Sequence, residues 1–270
     1  MRCSSNSSSC DINISKMPHL LRQISSHTDY KRLMNSRAKP GQAYVPTDAE
    51  HIANVISHGL WILPSVLGLL WMVYLSVTQV QLIIAVVYGG ALATLFSVST
   101  TFHTVSFCAS KFSSSFKNFF HIGDRAVIYV FIAASYTPWL ALKDLGWWGH
   151  HLILLIWSLA AFGITYQYIY HEQYKWLEIV FYMGIGILPS SAVFLMEECS
   201  GIYEVLIGGS MYMCGVVFFK SDGLIPFAHA IWHCFVIVGA LFHFYAVCTY
   251  LLGASAINVG GQNTVAHDEL

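Results

Sequence analysis

From residue 54 onward, apolar stretches of membrane-spanning length follow one another with only short polar breaks, and there are seven of them. About 20 consecutive apolar residues suffice for a helix to cross a bilayer. Helices are expected near 54–77, 82–107, 122–142, 150–170, 177–197, 203–220 and 227–252. The breaks are TQVQ, SKFSSSFKN, KDLGWWG, HEQYKW, EECSG and KSDGLIP. Because the runs are apolar all round the helix, they lack the polar face of a water-soluble bundle. Only 10% of the 270 residues are charged, against about a quarter in soluble domains. The chain therefore reads as an all-α integral membrane protein with seven transmembrane helices. Its sixth span has the weakest signature, because it opens with Glu204.

The flanks read differently. Residues 1–45 are Ser-rich and basic without a signal-peptide core, and are expected to form a disordered cytosolic tail. Residues 46–252 form the seven-helix domain, and 253–270 a short lumenal tail. Of 13 Lys and Arg, 12 fall on the side of the N-terminus and only Lys143 on the other, so the positive-inside rule puts the N-terminus in the cytosol. The near-zero net charge gives no reason to expect a nucleic-acid partner. Seven cysteines include no C-x-x-C pair, which argues against a disulfide framework or a cysteine zinc module.

Ionisable residues recur at one depth. The second span ends SVSTTFH, with Ser99 and His103 in its last turns. The third begins HIGDR, with Asp124. The seventh begins FAHAIWH, with His229 and His233 one turn apart on one helical face. Groups of this kind cost about 2.5–3.5 kcal/mol each inside a bilayer and usually face an interior site. Three histidines at matched depth suit a zinc ion with one open position, and Asp124 is placed to act on its water. Ser99, one turn from His103, could hold the water or the ring. In the first span Glu50, Asn54 and His58 form a stripe that fits either helix packing or support of the site. His243 lies about 15 Å further along its helix and is expected to be structural. The aromatic run IYVFIAASYTPW suits packing, with Tyr136 and Trp139 at the far interface.

With these residues in view, the chain resembles the progestin and adipoQ receptor family, the haemolysin III-related membrane proteins. The resemblance rests on EHIANVISH, SVSTTFH, HIGDRAVIYVFIAASYTPW and FFKSDGLIPFAHAIWH. Together with RLMNSRA, the last of these resembles the monocyte-to-macrophage differentiation factor branch. It implies seven helices with a cytosolic N-terminus and a zinc ion near the cytosolic face. The family's serine and histidine fall on Ser99 and His103, its aspartate on Asp124, and its paired histidines on His229 and His233. Adiponectin receptors of this family resemble ceramide-hydrolysing lipid amidases. For the branch, the resemblance implies Golgi and other endomembranes and modulation of Ras-type signalling.

Two functions compete. One is a zinc-dependent hydrolase of a ceramide-like lipid amide, with membrane lipids around it and Asp124 as the base. The other is a receptor or scaffold whose zinc only pins helices while cytosolic signalling proteins dock. A pore is disfavoured, since no span carries a regular polar stripe. The final His267, Asp268, Glu269 and Leu270 match an address read by a KDEL-type retrieval receptor, which a lumenal C-terminus would present. The same topology leaves the sequons at Asn6 and Asn13 unglycosylated. Residence in the endoplasmic reticulum and early Golgi is expected.

Overall fold

The structure, a computed structural model, describes residues 33–253 other than 40, 171, 172 and 197. The expectations for the sequons and for the last four residues fall outside the described residues. Among the described residues every regular element is helical. The α-helices are α1 (Asp48–Gly59), α2 (Ile62–Leu75), α3 (Gln79–Phe107), α4 (Ser114–Leu142), α5 (Trp148–Ile169), α6 (Lys175–Ile187), α7 (Ile202–Phe219) and α8 (Ala228–Tyr250). They make seven spans, because α1 and α2 together form the first, and α6 with the 3-10 turn Leu188–Leu195 forms the fifth. The protein is a multi-pass membrane protein.

The first span starts earlier than its apolar run suggests and is broken in the middle. Thr47 caps α1 through a reciprocal box with Glu50: the Glu50 amide donates to Thr47 Oγ1 at 3.3 Å and the Thr47 amide donates to Glu50 Oε2 at 2.8 Å. The break at Leu60 and Trp61 precedes Pro64, which has no amide hydrogen to continue the ladder and is tolerated in the first turn of α2. Pro189 has the same effect at the tight turn that follows α6. Glu204 does not weaken the sixth span, for its carboxylate accepts from the Tyr250 hydroxyl at 3.0 Å.

Helix α4 is the centre of the bundle. On one side Val127, Phe131 and Trp139 pack with Tyr88, Phe96 and Val236 of α3 and α8. On the other, Tyr129 and Ala133 pack with Ile156, Ala160 and Tyr182 of α5 and α6. Large apolar residues such as Leu67, Tyr74, Leu154, Phe162 and Val217 stay exposed on the outside, as lipid-facing helices require. Tyr136 and Trp139 lie toward the far end of α4, and there they face neighbouring helices. Trp139 is buried in the core, and the Tyr136 hydroxyl donates to the Gly186 carbonyl on α6. Aromatic rings large enough to bridge two helices bury more area there than at an interface.

Polar ties fasten the bundle at both ends. Near the end where α1 begins, Arg125 of α4 pairs with Glu178 of α6 at 3.1 Å, and the Tyr182 hydroxyl donates to the Arg125 carbonyl at 2.8 Å. At the opposite end Lys143 donates to Glu198 at 2.8 Å and to Ser200 at 2.7 Å. Those bonds hold the Glu198 carboxyl below the usual glutamate range.

A candidate metal centre at one end of a lipid-sized cavity

Helix geometry places the histidines. The last turns of α3 and the first turns of α8 lie at the same end of the bundle, where α1 and α4 also begin. His103 therefore meets His229 and His233, whose ring centroids lie 5.0 and 5.1 Å from its own, while His229 and His233 are 4.7 Å apart. One donor nitrogen from each lies within 4.8 Å of the other two. His103 and His233 are buried and His229 partly so. His103 Nε2 is buried and has no hydrogen-bond partner, which a metal ion would satisfy. Imidazole nitrogens are natural zinc ligands, so the donor set fits the ion.

Asp124 and Ser99 join the three histidines. Both are buried, and both line the same cavity as His229 and His233. Cys234 is an exposed free thiol, turned away from the set. Of the first-span stripe, His58 proves close to the site: its ring stacks on His233 at 3.6 Å and lines the cavity. Glu50 instead serves the helix cap, accepting from the Tyr44 hydroxyl at 3.0 Å. Burial and the neighbouring Glu50 charge push the Tyr44 phenol above its ordinary range, so it remains a donor.

Sequence reasoning missed two residues. Ser57 Oγ lies 2.8 Å from His233 Nδ1 and 3.1 Å from the Asn54 carbonyl. With the hydroxyl hydrogen on that carbonyl, Ser57 accepts from His233 Nδ1–H, the tautomer that leaves the Nε2 lone pair for a metal. Its signal was legible, since 54, 57 and 58 share one helical face. Asp222 Oδ2 lies 3.7 Å from His229 Nδ1. Only the loop before α8 brings it there. That loop turns through Gly223 at φ +74°, where a Cβ would lie 2.6 Å from the Arg37 backbone, so the segment before α1 runs over the site. Phe227 then starts α8 with φ 59°, a left-handed conformation unusual for a bulky residue.

From this end a cavity of about 560 Å³ runs inward between α4, α6, α7 and α8. Apolar side chains including Ile128, Phe131, Ile132 and Val236 form most of its wall. Helices α6 and α7 scarcely touch, and residues of both line the cavity between them. His243 is apart from the triad, as its spacing implies, yet it lines the same cavity.

A seven-span helical membrane protein with a buried three-histidine set is thus defined. The chain belongs to the haemolysin-III related family, whose model matches residues 49–244. It is 46% identical over 222 residues to human "Monocyte to macrophage differentiation factor", covering 82% of this chain and 93% of that protein. It is 30% identical over 210 residues to the "Hemolysin-3 homolog" of Bacillus subtilis, covering 76% and 95% respectively. The "Hemolysin-3" of Bacillus cereus is 31% identical over 209 residues, 75% of this chain and 92% of its own.

Proposed function

We propose that this is an endomembrane, signalling-type protein whose histidine set holds zinc and hydrolyses a ceramide-like lipid amide. The observation that carries the reading is the meeting of three imidazoles and a separate carboxylate on the wall of a largely apolar cavity. His103, His229 and His233 would hold the ion, with Ser57 and Asp222 orienting two of the rings. In such a site zinc lends Lewis acidity to a substrate carbonyl and lowers the pKa of water to about 7. Asp124 takes the proton from the attacking water and delivers it to the leaving amine. Ser99 shares the cavity lining with Asp124, and the apolar wall holds the acyl chain and excludes bulk water. The sparse contact between α6 and α7, with the cavity between them, supports loading of the lipid from the bilayer.

A second reading is favoured by the name of the human relative, which speaks of differentiation rather than catalysis. In it the metal only pins α3 to α8, and cytosolic signalling proteins of the Ras type dock outside. Metal content and ceramide turnover measured on one purified sample separate the two. The hydrolase reading expects about one zinc per chain and turnover that Asp124→Asn abolishes while zinc stays bound, because three imidazoles remain. No turnover across several acyl lengths, with zinc present, selects the scaffold.

The topology we assign puts the N-terminus in the cytosol and the C-terminus in the lumen of the endoplasmic reticulum or early Golgi. It is supported by the 12 to 1 distribution of basic residues.

A further inference from the structure

The inner end of the cavity carries a second polar pair that the metal site does not use. His243 lies ten residues beyond His233 on α8, about 15 Å along the axis. It is 9% exposed, and neither ring nitrogen has a hydrogen-bond partner. One nitrogen faces the Val205 backbone carbonyl without completing a bond. Tyr212 of α7 sits beside it with ring centroids 5.5 Å apart, and its hydroxyl is likewise buried and unpartnered. Both residues line the cavity. The imidazole reaches this position because Gly208 of α7 has no side chain: a Cβ there would collide with the His243 ring.

Polar atoms buried at membrane depth normally find partners, since lipid tails offer none. The lining is largely apolar, with Phe131, Met213 and Val236 in it, and the hydroxyls of Ser135 and Ser210 donate at 2.7 Å to the carbonyls of Phe131 and Leu206 on their own helices. A neutral imidazole offers one donor and one acceptor, and a phenol offers the same. A hydroxyl complements both.

We propose that Tyr212 and His243 form a subsite for a hydroxyl carried on the hydrocarbon chain of an amphiphile whose head group lies at the His103, His229 and His233 end. The lipid class is then a hydroxylated acyl chain rather than a plain one. The inference rests on the reading above only in that the cavity takes a lipid chain, and it is independent of turnover.

The test measures binding of stearate, and of hydroxystearates with the hydroxyl walked along the chain, to purified full-length protein. One hydroxyl position should bind about tenfold tighter than stearate, the worth of one good hydrogen bond. Tyr212→Phe and His243→Phe should each bring that isomer down toward stearate while leaving stearate itself unchanged. If the pair merely holds water, all isomers bind like stearate in the native protein, and the subsite is overturned. A preference that survives Tyr212→Phe, which keeps the ring and its packing, overturns it equally. Failure of every chain to bind overturns both this inference and the lipid reading of the cavity. Equal binding of all chains overturns this one alone.

Discussion

His233 can offer a metal only the nitrogen that its neighbours leave free, and Ser57 settles which one that is. Removing that hydroxyl leaves Nδ1 without its acceptor and frees the ring to turn. Ser57→Ala should therefore weaken zinc binding about 10- to 100-fold, the usual cost of losing a partner that orients a ligand, as read by competition with a chelator. His229→Ala should do more, lowering both bound zinc and the melting temperature, because the metal stabilises the folded form by linkage. His243→Ala should leave metal content unaltered, since its ring lies about 15 Å from the triad. Zinc content equal to wild type in the His103, His229 and His233 variants alike would remove the centre. The histidines themselves were visible as ionisable residues in apolar runs. Ser57 and Asp222 were not singled out, because serine is common in membrane helices and Asp222 lies in a loop whose path the sequence leaves open.

At the scale of elements, polar clasps add to side-chain packing in fixing which helix faces which, because lipid competes with protein for apolar surface. Arg125 and Glu178 tie α4 to α6 with little exposure of either side chain. Glu178→Ala leaves the guanidinium without that carboxylate and should destabilise by about 3–5 kcal/mol, the cost of breaking a buried pair. A melting temperature within error of wild type would show that the clasp is dispensable. The Lys143 to Glu198 tie is more exposed and worth less. The lowered Glu198 value gives it a sign: its contribution is complete above the free value of 4.5 and is lost as pH falls through the lowered one. Lys143→Met should therefore lower the melting temperature slightly at neutral pH, with the gap closing under acid.

For the whole molecule, the decisive prediction is orientation. A glycosylation acceptor placed in the turn after Lys143 should be modified, and one placed between α3 and α4 should not, if the basic residues read correctly. The reverse pattern would invert the protein and carry the histidine end to the lumen. Either way the cavity and the histidine set share one end of the bundle with the starts of α1, α4 and α8, so the chemistry and its lipid chamber move together.

The sequence by itself determined the seven spans and the depth of Ser99, His103, Asp124, His229 and His233 along them. Each follows from hydrophobic run length and helical rise, which are local. It also carried the long motifs that identify the family. What only the tertiary structure decided is lateral: that α3 and α8 are neighbours, that His58 stacks on His233, that Trp139 turns inward, and that α6 and α7 part around a cavity. Depth along a span is counted in residues, but the choice of neighbour depends on which faces interlock. Where every face of a helix is apolar, periodicity marks no one of them as inner. Gly208 illustrates the point, for only the approach of α8 to α7 gives its missing side chain a use.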